Sequence, residues 1–198
     1  MSEYLSGEEI SGQKNRLRRE MLQKRRQLSE EQRERLSRKI LEHLYREPVY
    51  DRSKTVMAYM SMPDEVQIGP LLEDCLRKGK RPAIPLIVGK GQMEAVLVPS
   101  MESLTEGAYG ILTVREELRR IVPPEQIDCV IVPGAAFSGT GERLGLGGGF
   151  YDRFLRRCPN AHRIALAFSF QLVEKLPTEQ HDIKVDQIIT ERNSEERI

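Results

Sequence analysis

Cys129-Val-Ile-Val-Pro133, followed by Gly139-Thr-Gly-Glu-Arg-Leu-Gly-Leu-Gly-Gly-Gly-Phe-Tyr-Asp-Arg153, decides the reading of this 198-residue chain. The first segment is a short apolar run of the kind that forms a buried strand. After the glycines, Phe150, Phe154, Leu155 and Cys158 fall on one face of a helix. A glycine loop between a strand and a helix start has a physical use. Glycine permits positive φ and lets a ligand approach the backbone closely. The free amides and the dipole of the helix start then favour an anion, most often a phosphate. Arg143 and Arg153 flank the loop, and Asp152 stands at the helix start. The pattern is not a P-loop, because no lysine occurs between Gly91 and Lys175. Nor does it complete Gly-x-Gly-x-x-Gly, because Phe150 fills the last position. The competing reading is a glycine-rich surface loop without a ligand.

Outward from this segment, helix and strand signals alternate. Residues 1–10 read as a loose start, and 11–27 as a helix with a thin apolar stripe of Leu17, Met21, Leu22 and Leu28. Ser29-Glu-Glu-Gln32 is a capping box that starts a second helix at Glu30, carrying Leu36, Ile40 and Leu44 and stopping before Pro48. Strands are expected at 55–60, 82–88, 93–98, 130–132, 164–168 and 185–190, with a hairpin turn at Gly89-Lys-Gly91. A helix is expected over 66–78, and a short one near 115–120. The alternation predicts a single α/β domain over 1–198, a mostly parallel sheet with helices on both faces and an N-terminal helical pair. Ligands of such sheets bind at the carboxyl ends of strands, so residues 60–65, 133–150 and 169–171 can converge on one site.

The net charge of +1 gives no global reason to expect a nucleic-acid or membrane partner. It hides a basic segment, since residues 14–39 carry eleven Lys and Arg against four Glu. That segment lacks interleaved aromatics, and its glutamates dilute the charge, so a nucleic-acid role is disfavoured. Cys75, Cys129 and Cys158 are an odd number of widely spaced thiols, which predicts reduced, buried cysteines in a cytoplasmic protein. The N-terminus shows no apolar targeting segment, and the three histidines lack zinc-ligand spacing.

Lys14 and Arg18 are one helical turn apart and can hold two phosphate oxygens; a solvated basic helix is the alternative. A carboxylate such as Asp152 beside bound phosphates needs an intervening cation. Mg²⁺ suits the place, with Asp182 in the Gln180-His-Asp182 turn as a second ligand. For both acids an ordinary helix-start or turn role competes. Met57, Tyr59, Met60 and Met62 can line a slot for a flat ring, with Glu65 accepting from its amide edge; a methionine-rich core strand is the competing reading. No spacing supports a nucleophilic triad.

Five segments, in order, resemble the 5-formyltetrahydrofolate cyclo-ligase (methenyltetrahydrofolate synthetase) family. They are Lys14-Asn-Arg-Leu-Arg18, Met60-Ser-Met-Pro-Asp-Glu65, Ile131-Val-Pro-Gly-Ala-Ala-Phe137, the loop from Arg143 to Arg153, and Gln180-His-Asp-Ile-Lys-Val-Asp186. The resemblance covers nearly the whole chain. It implies a three-layer α/β fold and an ATP- and Mg²⁺-dependent closure of 5-formyltetrahydrofolate to 5,10-methenyltetrahydrofolate, with release of ADP and phosphate. By matching position, it implies ATP contacts from Lys14, Arg18, Arg143, Leu144, Gly145, Leu146, Gly147, Gly148, Gly149, Phe150 and Tyr151. Met60, Glu65, Leu146, Gly147, Gly148, Gly149 and Phe150 would contact the folate, and Asp152 and Asp182 would hold magnesium. Arg143 is the expected stabiliser of charge on the moving phosphoryl group, and no general base is assigned.

Two departures from the family pattern stand out. Phe150 replaces a tyrosine found in many members. Tyr109-Gly-Ile-Leu-Thr-Val-Arg115 lacks the Glu-Pro pair that often follows the isoleucine, which bears on whether Tyr109 lines the folate pocket. The expected partners are these small molecules alone, and the expected state is a monomer or weak homodimer. Competing readings are a sugar-phosphate isomerase-like or acyl-transfer enzyme on a similar scaffold, and a non-catalytic nucleotide- or nucleic-acid-binding module.

Overall fold

The computed structural model describes residues 7–107 and 110–192. The chain begins with α1 (Gly7–Gln27), α2 (Glu30–Leu44) and α3 (Pro48–Arg52), followed by β1 (Thr55–Ala58), α4 (Gly69–Arg77), β2 (Arg81–Gly89) and β3 (Gln92–Leu97). Short strands β4 (Leu104–Glu106), β5 (Leu112–Val114) and β6 (Ile121–Val122) come next, then β7 (Cys129–Val132). The glycine-rich region holds β8 (Ala136–Ser138) and β9 (Arg143–Leu144) before α5 (Phe150–Leu155). The chain then runs through β10 (His162–Leu166), β11 (Leu172–Val173) and β12 (Gln187–Ile189).

The main sheet has seven strands in the order β12-β10-β7-β1-β2-β3-β6. β1 is parallel to β2 and β7, and β10 is parallel to β7 and β12; β3 and β6 add an antiparallel edge. Chain order runs outward from β1 to β2 on one side and to β7 on the other. The β1/β7 border is therefore the switch point at which open α/β sheets bind ligands.

The pleat explains the layers. Val56, Ala58, Cys129, Ile131, Ile164 and Leu166 point to one face, where they pack with Ile40, Leu41 and Leu44 of α2 and Leu71, Leu72 and Cys75 of α4. Their neighbours Met57, Val130, Val132 and Ala165 point to the other face, against Phe154 and Leu155 of α5. Period-two alternation within a fully buried strand thus fills two cores. All three cysteines are free and buried, and burial pushes the Cys129 thiol up to about 12. No described helix is long and apolar enough to cross a membrane.

Several boundaries differ from expectation. α1 already includes residues 7–10, part of the expected loose start; residues 1–6 lie outside the described residues. Pro48 starts α3 instead of only ending its predecessor, because proline is well suited to a first helical turn. The helix expected from Val66 starts at Gly69, again with a proline in its first turn. Before it, Ser37 and Ser61 hydroxyls accept from the Gln67 and Ile68 amides. The helix expected near 115–120 is a 3₁₀ turn, Glu116–Leu118.

The capping box is formed as written: Ser29 Oγ accepts from the Gln32 amide at 3.1 Å, and Gln32 Oε1 from the Ser29 amide at 2.9 Å. Ser29→Ala is expected to lower stability by about 1 kcal/mol, read as a shift of the denaturation midpoint at unchanged slope.

Candidate functional site

The glycine segment does not run straight from strand to helix. β8 and β9 form a hairpin that pairs β11, so Gly139 and Gly141 belong to the hairpin side. The hairpin delivers Arg143 and Leu144 to the loop proper, 145–149. Gly147 (φ 104°) and Gly149 (φ 62°) sit in conformations that L side chains rarely adopt, and Gly149 immediately precedes α5. Arg153 braces this loop, donating to the Gly148 carbonyl at 2.6 Å and to the Gly91 carbonyl of the β2–β3 turn at 2.8 Å. A Cβ on Gly149 meets Arg153 Nη1 at 2.9 Å. Gly149→Ala is expected to cost about 1–2 kcal/mol of stability for the left-handed backbone. Because Arg153 must also move, it is expected to weaken nucleotide affinity, which calorimetry checks.

α1 crosses over this loop. Its inward stripe is Lys14, Arg18, Met21 and Arg25, spaced at helical intervals, so its buried face is largely cationic. Of the apolar stripe read from sequence, only Met21 is fully buried; Leu17, Leu22 and Leu28 are partly so. Met21 packs on Ala135, Ala136 and Leu144. Lys14 Nζ donates to Glu179 Oε2 at 2.8 Å and to Asp182 Oδ2 at 2.6 Å. Burial works against the ammonium, yet these two carboxylates raise its pKa above the ordinary lysine value. Arg18 Nε donates to the Gly145 carbonyl at 2.9 Å.

Arg143 is nearly enclosed. Its Nη2 meets Asp152 Oδ1 at 2.7 Å, its Nη1 donates to the Pro133 carbonyl, and its Nε is buried with no partner among the described residues. Asp152 Oδ1 also accepts from the Ile183 amide at 3.0 Å. The Tyr151 hydroxyl is likewise buried and unpartnered. Burial raises the phenol's pKa, Glu65 raises it further, and Arg143 opposes them.

These residues surround one cavity of about 340 Å³, lined by Lys14, Arg18, the whole 143–152 segment, Glu179, His181 and Asp182. All the residues expected to contact ATP or metal are thus brought together. A larger cavity of about 590 Å³ lies at edge strand β12 and includes none of them.

The folate side is less assembled. Met60 and Glu65 line neither of these cavities. Met57 and Tyr59 are buried in the core, so the ring slot expected from four side chains is not formed by them. β-strand alternation turns Met57 into one core, and the Tyr59 hydroxyl is consumed by the Val66 carbonyl at 3.0 Å. Met62 lines a separate cavity of about 440 Å³ with Ser61, Pro63 and Gln67. Tyr109 lies outside the described residues. Glu65 is buried, with Oε2 accepting from the Met62 amide at 2.9 Å.

Glu179 and Arg25 were missed by sequence reasoning. The spacing of Arg25, eleven residues after Lys14 on the same helical stripe, was the available signal; Glu179 had none. Glu179, His181 and Asp182 place ligand atoms close enough to share an ion, a set that overlaps the expected pair only at Asp182.

A mostly parallel α/β sheet, with switch-point loops enclosing a glycine-walled cavity that Lys14, Arg18 and Arg143 share with three carboxylates, is the architecture of the nucleotide-using kind of α/β enzyme. A family model for the 5-formyltetrahydrofolate cyclo-ligase family matches residues 10–191. The chain belongs to that family. It is 32% identical over 196 residues to the 5-formyltetrahydrofolate cyclo-ligase of Mus musculus, covering 92% of this chain and 95% of that one. Against the enzyme of Escherichia coli (strain K12), identity is 31% over 172 residues, covering 85% and 94%. The NMR structure of Aquifex aeolicus 5,10-methenyltetrahydrofolate synthetase superposes with a TM-score of 0.82 at 39% identity, covering 91% of this chain and 90% of that one. The Mycoplasma pneumoniae synthetase gives 0.73 at 27% identity, covering 90% and 99%.

Proposed function

We propose that this protein is an ATP-dependent ligase that closes 5-formyltetrahydrofolate to 5,10-methenyltetrahydrofolate, releasing ADP and phosphate. The observation that carries the site assignment is the convergence of Lys14, Arg18, Arg143, the 145–151 loop, Asp152 and Asp182 on one 340 Å³ cavity, although they come from opposite ends of the chain.

The chemistry needs positioning and charge neutralisation more than a protein nucleophile. A formamide oxygen is a poor leaving group. Transfer of the ATP γ-phosphoryl onto that oxygen converts it to a phosphate ester; N10 then attacks the formyl carbon, phosphate departs with the oxygen, and N10 loses its proton. Arg143, with an unpartnered Nε beneath the loop, supplies fixed positive charge for the phosphoryl oxygens. Lys14 and Arg18 reach the cavity from α1, and the positive-φ loop lets phosphates approach the backbone. Leu146 and Phe150, with the loop glycines, are assigned to the border with the folate, and Met60 and Glu65 to its ring.

Asp152 and Asp182 fit a hard divalent cation. Asp152 Oδ2 has no hydrogen-bond partner among the described residues, and Asp182 Oδ1 stands 3.9 Å from His181 Nε2. Oxygen donors of this kind suit Mg²⁺, which when bound would neutralise charge on the phosphate oxygens.

The alternatives fare worse. Although Arg16, Arg19, Lys24 and Arg26 of α1 are exposed, Lys14 and Arg25 are turned inward onto acids, which a helix serving only a nucleic-acid backbone does not need. An isomerase-like enzyme has no use for a nucleotide. The test mixes protein, Mg²⁺-ATP and 5-formyltetrahydrofolate and follows the near-ultraviolet absorbance of the methenyl product. An ATP-dependent rise that stops on metal chelation is expected; folded protein that binds ATP yet gives no rise overturns the reading.

A further inference from the structure

Arg25 stands in the last turn of α1, remote in sequence from the glycine loop, and is only 3% exposed. Its guanidinium is spent on one short turn. Nε and Nη2 meet Asp64 Oδ2 at 3.0 and 2.7 Å, and Nη1 lies 3.4 Å from Glu65 Oε1. Replacing buried ion pairs with apolar side chains is often neutral or stabilising, so stability alone does not account for a cation at this place. The neighbours of Glu65 supply the missing reason. Glu65 is contacted by Arg25 from α1 and feels the charge of Asp64 in its own turn; its own charge is felt by the phenols of Tyr59, just after β1, and Tyr151 of α5, and raises both their pKa values. The Tyr59 hydroxyl is satisfied by the Val66 carbonyl, but that of Tyr151 is buried with no partner. The Glu65 carboxylate and the unsatisfied Tyr151 phenol are thus electrostatically linked between the turn after β1 and the start of α5. Buried polar groups of that sort are ordinarily completed by a ligand or a water.

We propose that Arg25 is a positioning residue for the ring closure: from α1 it holds the Asp64–Glu65 turn so that the Glu65 carboxylate accepts hydrogen bonds from the amino-pyrimidinone edge of the folate. The proposal rests on the assignment of Glu65 to that ring. Arg25 does not line the nucleotide cavity, so its influence is assigned to the folate side. It also opposes protonation of Glu65. Burial pushes that carboxyl's pKa up, the Met62 amide and Arg25 pull it down, and Asp64 adds to the rise. Loss of Arg25 therefore raises the pKa at which Glu65 becomes a carboxylate, and loss of the Asp64 charge lowers it.

The experiment compares wild type with Arg25→Gln, Arg25→Lys and Asp64→Asn. It measures KM for 5-formyltetrahydrofolate and for ATP, and the pH profile of kcat/KM for the folate. Arg25→Gln is expected to raise the folate KM about tenfold with the ATP KM within about twofold, the signature of lost substrate binding. Its acid limb moves to higher pH, that of Asp64→Asn moves to lower pH, and Arg25→Lys recovers part of both losses. An unchanged ATP KM also reports that α1, which carries Lys14 and Arg18, is still docked. Parallel rises in both KM values, or acid limbs that do not move in opposite directions, overturn the proposal. If Arg25→Gln does not fold, Arg25→Lys and Asp64→Asn carry the same comparison. Wild type that binds 5-formyltetrahydrofolate without closing it removes the reaction, not the Arg25 role, which is then read from the folate Kd of the same variants.

Discussion

Arg143→Ala is expected to lower kcat by about 10²–10³-fold, the loss typical when a fixed donor to developing charge is removed. Three observations support so large an effect. The side chain is held at both ends of its fork, by Asp152 at 2.7 Å and the Pro133 carbonyl at 3.3 Å, so its charge needs no reorganisation. The residue lines the cavity that the loop encloses, and its Nε is a buried donor with no partner among the described residues. It sits on β9, a strand of a paired sheet, so its backbone is fixed. Removal also deprives Asp152 of its cation, and stability should fall by about 1–3 kcal/mol for the enclosed acceptors left unpartnered. Kinetics are therefore read well below the variant's melting temperature. Arg143→Lys keeps the charge but cannot bridge Asp152 and Pro133 together, and is expected to recover only part of the rate. Near wild-type turnover by Arg143→Ala would remove this residue from the chemistry.

The sheet was legible because its signals are local. β1, β7 and β10 are apolar runs bounded by Pro or polar residues, and the hairpin turn at Lys90-Gly91 needs no tertiary information. The Ser29–Gln32 box fixed the start of α2 for the same reason. What escaped was long-range. Nothing near Pro123 or Leu172 announces that β6 and β11 pair with β3 and β8, because two-residue strands are stabilised by their neighbours, not by their own pattern. The same distinction governs the site. Arg143, the 145–151 loop and Asp152 are contiguous and could be read as a unit, and Lys14 and Arg18 share a helical face. Lys14 pairs with acids 165 and 168 positions away, a contact that no periodicity encodes. Met57 and Tyr59 show the reverse error. Their side-chain types suited a ring slot, but strand alternation and a core hydrogen bond claimed them first.

Asp152→Asn tests the part of the site on which the geometry is most divided, since Asp152 has a partner in Arg143 already and is proposed to hold a cation as well. The substitution is nearly isosteric, and the asparagine carbonyl can still accept from the Ile183 amide, so the start of α5 should stay in place. What is lost is the negative charge and the free Oδ2, which becomes an amide NH2 that cannot ligate a cation. If that charge serves Mg²⁺, the magnesium concentration for half-maximal turnover should rise by about 10–100-fold, the range seen when metal-site groups are altered. Binding of ATP in the presence of a chelator should move the other way, or not at all, because a carboxylate beside an unneutralised triphosphate repels it. A residue that merely anchors Arg143 predicts a different pair of results: an unchanged magnesium titration, and weaker nucleotide binding with and without metal. Asp182→Asn supplies the contrast. Its carboxylate holds Lys14 at 2.6 Å and the Glu179 amide at 2.8 Å, so its loss should weaken nucleotide affinity under both conditions as well as the metal response. A raised magnesium requirement without weaker metal-free binding is thus what a cation bridge between this loop and the phosphates requires of Asp152→Asn, and a flat magnesium titration takes Asp152 out of the metal site.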